Sequence, residues 1–109
     1  MDPLDAFRTL EIRVGRIVKV EIHAAARKPA YTLSIDFGPE GLKTSSAQLT
    51  ALYGPEDLIG RVVVAATNLG NRRIAGVNSE VLVLGVPDEA GRVVLLTTER
   101  DVTLGGRIF

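Results

Sequence analysis

The sequence predicts an all-β fold with short helices, built as a small closed barrel of five strands. Three observations carry that reading. One long alternating stretch from Leu10 to Ile22 is interrupted midway, shorter β-rich runs follow between turn residues, and a helical insert comes after the third run. Five strands with a helix between the third and fourth is the order of an OB-fold. A β-sandwich competes, but it accounts less well for the insert. With 109 residues and 11.7 kDa, the chain has room for one domain, residues 1–109.

The elements follow in order. Asp2 is placed to cap a helix whose first turn holds Pro3, and Leu4, Phe7 and Leu10 give it an apolar stripe. So short a helix is marginal alone and must dock on its own domain or on a second chain. From Leu10 to Ile22 the even positions are apolar except Arg16, so this reads as one half-buried strand with a bulge or bend at Gly15-Arg16. His23 to Pro29 is a loop. Tyr31, Leu33, Ile35 and Phe37 alternate as a second strand, Gly38 to Gly41 turns, and Leu42 to Ser46 returns. Helical turns are expected over Ala47–Tyr53 and Pro55–Leu58. Strands are expected over Arg61–Ala66, Ser79–Val86 and Arg92–Leu96, with a turn-rich loop over Asn68–Asn71. The tail from Val102 to Phe109 has strand character broken by Gly105-Gly106, so the barrel carries an N-terminal helix and a C-terminal strand extension.

Composition excludes several function classes. The chain has no cysteine, so disulfides and thiolate zinc sites are out. His23 is the lone histidine, which rules out a histidine metal cluster and leaves any Ser-His-acid triad dependent on a loop residue. The adjacent acid pairs, Glu56-Asp57 and Asp88-Glu89, fall in turns. No phosphate-loop or dinucleotide glycine pattern is present. A non-enzyme without metal or cofactor is expected. No apolar run approaches the ~20 residues that span a bilayer. The start, Met1-Asp2-Pro3-Leu4-Asp5, lacks signal-peptide regions. A cytoplasmic protein without membrane insertion is expected.

Charge balances at 13 basic against 13 acidic residues, but its distribution is uneven. Leu58 to Ser79 contains no acid and three arginines, Arg61, Arg72 and Arg73. Asn68-Leu69-Gly70-Asn71-Arg72-Arg73 places amides and guanidinium forks on one loop, groups suited to phosphates, carboxylates and base edges. Arg27-Lys28-Pro29 is a second basic loop. Aromatic residues make up only 5% of the chain, too few for a broad base-stacking platform.

The chain resembles the stand-alone tRNA-binding-domain superfamily and, more closely, its CsaA-type secretion chaperones. The resemblance runs through Ile12–Ile17, Ala26–Tyr31, Ile35–Gly38, Lys43–Gln48, Asn68–Gly76 and Ser79–Gly85. For the tRNA-binding members it implies a nucleic-acid face lined by Asn68, Arg72, Arg73 and Ser79. Val81-Leu82, where those members usually have Gly-Met, and the Arg27–Tyr31 loop both favour the CsaA type. That type implies an OB-fold homodimer binding unfolded preprotein segments for post-translational export. The export machinery and weak tRNA binding are further expected partners, and the alternative is a structure-selective tRNA-binding protein using the same OB-fold face.

A chaperone of this kind needs an apolar groove with basic rims. Tyr31, Phe37 and Tyr53 are the expected groove residues, with Arg27, Lys28, Arg72 and Arg73 as rim. Leu4, Phe7, Ile108 and Phe109 have no evident home on a small barrel and are the expected dimer interface.

Overall fold

The computed structural model describes residues 1–22, 27–74 and 76–109, and the expected loop position of His23 lies outside them. The elements are α1 (Pro3–Thr9), β1 (Ile12–Ile22), β2 (Tyr31–Asp36), a 3-10 turn (Gly38–Glu40), β3 (Leu42–Ala47) and α2 (Pro55–Leu58). They continue with β4 (Val62–Ala66), β5 (Arg72–Ile74), β6 (Val77–Ser79), β7 (Leu82–Val83), β8 (Gly85–Pro87) and β9 (Val93–Leu95). Five strands pair antiparallel in the order β3-β2-β1-β4-β7 and nearly close into an OB barrel. β5–β6 and β8–β9 are separate two-stranded hairpins.

β2 shows why the sequence folds this way. Tyr31, Leu33 and Ile35 are buried while Thr32, Ser34 and Asp36 are half-buried, the period of two that a strand with one core face requires. Phe37 follows, fully enclosed. β1 is less simple. Its register against β2 slips between Ile17 and Lys19, so the bulge is at Val18 and not at Gly15-Arg16. One extra residue reverses the faces. Ile17 is fully buried, Val20 packs against the core, and Val18 is 46% exposed. Gly15 serves a different purpose: a Cβ there would lie 2.6 Å from Ile35 Cγ2 and 2.8 Å from the Phe37 ring. It lets the aromatic ring lie directly on the strand.

The insert between β3 and β4 is thinner than expected. Over Ala47–Tyr53 there is one helical bond, from the Tyr53 N–H to the Leu49 carbonyl (3.2 Å), and α2 is a single turn. It still contributes Leu49 and Leu58 to the core. The expected strand Ser79–Val86 is broken into the end of β6, β7 and the start of β8. Glu80 and Val81 leave the ladder to close the barrel, their N–H groups both donating to the Thr44 carbonyl (2.8 and 3.3 Å).

Both chain ends gather along the first half of β1. Gly105 and Ile108 donate to the Val14 and Ile12 carbonyls (both 2.8 Å), and the Val14 N–H donates to Gly106 (3.0 Å). Gly105 has φ +90°, and a Cβ there would meet the Phe37 carbonyl at 2.5 Å, so only glycine allows this approach. α1 starts as expected, with the Asp2 carboxylate accepting from the Asp5 N–H (2.9 Å), yet it has no buried residue.

Candidate binding cleft

The connection from β4 to β7 builds the cleft. Thr67 and Asn68 leave β4, and the β5–β6 hairpin then stands beside the barrel seam. Side chains alternate along a strand. Arg72 and Ile74 therefore share one face with Leu69 and Leu82 and line a cleft of about 80 Å³, floored by Ser79 and Val81. Leu69 is 55% exposed, Leu82 52% and Ile74 38%, so the walls are apolar and open to solvent. Arg73 does not line the cleft, and its guanidinium donates to the Gly76 carbonyl (3.3 Å).

The remaining expected site residues separate. Phe37 and Tyr31 correct the expectation: both side chains are buried in the barrel core, and neither lines this cleft. The reason is register, since both continue the inward face of β2. The Tyr31 hydroxyl donates to the Tyr53 carbonyl (2.8 Å), and the Tyr53 hydroxyl accepts from the Leu95 N–H (3.0 Å). Tyr53 is half-buried and carries the Arg61 guanidinium over its ring at 5.1 Å. These aromatics fasten the insert and β9 to the barrel.

Ser79 is buried, and its hydroxyl accepts from the Ser46 N–H at 3.0 Å. Beside it the Glu80 carboxylate accepts from the Thr44 N–H (3.0 Å) and hydroxyl (3.2 Å). Where strand pairing between β3 and β7 fails, these two side chains form the seam. Asn68 is exposed, but its carboxamide is engaged: Oδ1 accepts from the Glu11 N–H (2.7 Å) and Nδ2 donates to the Thr9 carbonyl (2.9 Å). Arg27 and Lys28 are exposed between β1 and β2 and do not line the cleft. No composition signal distinguishes Leu69, Ile74 and Leu82 from core residues, and sequence reasoning missed them as cleft walls. Asp88, in the β8–β9 turn, has its carboxyl held below the usual carboxylate range, chiefly by the Arg92 N–H, and serves that turn.

Leu4, Phe7, Ile108 and Phe109 are all exposed. Phe7, Ile108 and Phe109, with Arg8 and Arg107, line a second groove of about 340 Å³ between α1 and the tail.

Residues 12–107 match the family described as "Putative tRNA binding domain". The chain belongs to that family. Within it the likeness is to the CsaA type. The CsaA chaperone of Bacillus anthracis superposes with a TM-score of 0.93 at 48% identity, covering 100% of this chain and 99% of that one. The CsaA chaperone protein of Picrophilus torridus gives 0.92 at 41% identity, covering 100% of both. Methionine--tRNA ligase of Pyrococcus abyssi is 36% identical over 104 residues, 95% of this chain but 14% of the ligase. The chain thus spans about a seventh of the length of the curated relatives it matches. The tRNA-binding-domain family is entered here through a CsaA-like chain, matched end to end.

Proposed function

We propose that this protein is a non-catalytic, dimeric, cytoplasmic chaperone that holds unfolded preprotein segments for post-translational export, where it meets the export machinery. The observation that carries this reading is the end-to-end likeness to CsaA chaperones, set against a match to 14% of the ligase. The cleft supports it physically. Leu69, Ile74 and Leu82 offer apolar walls to one aliphatic side chain of an extended segment, and Arg72 at the rim offers a bidentate partner to a neighbouring carboxylate. α1 and the tail supply the dimer face, since Leu4, Phe7, Ile108 and Phe109 are apolar and uncovered.

The second reading is tRNA binding. The family match and the exposed Arg27, Lys28, Arg72 and Arg73 favour it. Against it, the Asn68 carboxamide is engaged by backbone, Ser79 belongs to the seam, and Phe37 and Tyr31 offer no ring to stack on.

A titration against reduced, carboxymethylated α-lactalbumin and against bulk tRNA, each at two salt concentrations, separates the two readings. Each neutralised phosphate gives a slope of about −0.7 to −0.9 in log affinity against log salt, whereas apolar burial is far less sensitive. We expect the unfolded protein to remain bound at ~0.15 M salt, where the screening length is ~8 Å, and tRNA to be mostly released. Tight tRNA binding there, without binding of the unfolded protein, replaces the chaperone reading with the second one. Sedimentation as a clean 11.7 kDa species at micromolar concentration overturns the dimer.

A further inference from the structure

α1 is a helix with nothing buried, yet it has a defined place against the barrel. Polar clamps on its C-terminal end hold it there. One comes from the tail, where the Arg107 guanidinium donates to the Arg8 and Leu10 carbonyls. The other comes from the loop that leaves β4. The Thr67 N–H (2.7 Å) and hydroxyl (3.0 Å) both donate to the Glu11 carbonyl, and the Asn68 carboxamide takes the Glu11 N–H and the Thr9 carbonyl together. Only a side chain with a donor and an acceptor on one planar group can do this. The residues immediately after it, Leu69 and Gly70, line the cleft.

We propose that Asn68 is a positioning residue for the cleft: by fastening the start of the β4–β5 loop to the α1–β1 junction, it fixes Leu69 and Arg72 relative to the barrel seam. This rests on the reading above for what the cleft and the α1 face do. A ligand entering the cleft then meets preorganised walls, and the cost of ordering that loop is not charged against binding. One carboxamide therefore serves both the client cleft and the self-association face.

The test uses the full chain, with carboxymethylated α-lactalbumin as probe and sedimentation for self-association. Asn68→Ala removes both bonds and should weaken probe binding and self-association each on the order of tenfold. Arg107→Ala releases the other clamp on α1 without touching the loop, so it should weaken self-association alone and leave probe binding within about twofold. Asn68→Asp keeps the acceptor for Glu11 and loses the donor to Thr9. It should restore probe binding toward the unsubstituted level while self-association stays weak.

Unchanged probe binding in Asn68→Ala overturns the proposal. So does equal loss in Arg107→Ala, because binding would then follow dimerisation and not the loop. Absence of binding or of dimers in the unsubstituted protein is the failure of the preceding reading. In that case the proposal stands or falls on amide exchange at Gly70–Arg72, which must accelerate in Asn68→Ala relative to Arg107→Ala.

Discussion

The β1–β2–β3 meander and the Thr67–Val81 connection lie side by side on one barrel, and different forces hold them. The meander is a continuous ladder with a buried face: β2 and β3 pair over six positions, and Ile17, Leu33, Ile35 and Phe37 are fully enclosed. The connection has two strands of three residues, β5 fully exposed, and Ser79 its buried anchor at the seam. Its fixed points are single side chains: Asn68 at one end, and Ser79 with Glu80 at the other. Area-based burial tolerates small displacements, because many contacts share the energy. A region held by a few individual hydrogen bonds, those of Asn68, Ser79 and Glu80 among them, depends on each of them, and such a region suits a site whose walls must be set by position more than by packing.

The largest expected effect belongs to the meander. Leu33 is fully buried at the centre of the core, so Leu33→Ala should cost about 2–5 kcal/mol and lower the thermal midpoint by about 8 °C or more, at about 4–8 °C per kcal/mol. Calorimetry showing a loss below about 1 kcal/mol would remove the basis of the contrast.

Ser79→Ala tests the other side. It removes the acceptor of the Ser46 N–H at the seam and should cost about 1–2 kcal/mol in chemical denaturation. A ligand-contact role predicts the reverse pattern, with weaker binding at unchanged stability.

What was legible in the sequence follows the same division. β2 could be read directly, because Tyr31, Leu33 and Ile35 alternate with Thr32, Ser34 and Asp36. The Asp2 cap and Pro3 marked α1 correctly. β1 is legible as one long interrupted strand but its bulge is not, because Ile17 and Val18 are both apolar, so alternation cannot say which faces in, and only the pairing with β2 fixes the bulge. Phe37 and Tyr31 looked like ligand contacts, although an aromatic residue continuing an inward-facing run belongs to the core first. In the connection, Asn68 and Ser79 stand out in the sequence as candidate ligand contacts, whereas the hydrogen-bond partners that the fold gives them, Glu11, Thr9 and Ser46, are 33 to 59 residues away. Local patterns carry no information about such partners. The cleft walls were invisible for the same reason.

A smaller effect of opposite sign sharpens the meander side. Ser45 sits opposite Leu33 on the core face, and its hydroxyl is buried without a hydrogen-bond partner among the described residues. A hydroxyl of that kind costs more to desolvate than its packing returns. Ser45→Ala should raise stability by about 0.5–1 kcal/mol, read as a higher denaturant midpoint at unchanged slope. A decrease would mean that the oxygen's packing against Leu33 matters more than its unmet polarity.

The smallest expected effect on stability decides the most about the cleft. Arg72 and Arg73 are adjacent, equally charged and both exposed, so a long-range electrostatic role cannot tell them apart. The β5 pleat can, because it turns Arg72 into the cleft with Ile74 and leaves Arg73 outside it, donating to Gly76. Either substitution to alanine should change stability by less than about 0.5 kcal/mol, as is usual for exposed arginines. Their effects on the carboxymethylated probe should differ. Arg72→Ala removes the rim cation from an apolar cleft and should weaken binding several-fold, while Arg73→Ala should leave it close to unchanged. A backbone-phosphate role treats the pair as two similar charges, each contributing a slope of about −0.7 to −0.9 against log salt. Equal losses from the two variants, both vanishing as salt rises, would mean that the hairpin works as a charged patch and that the Leu69–Ile74–Leu82 walls are incidental to binding.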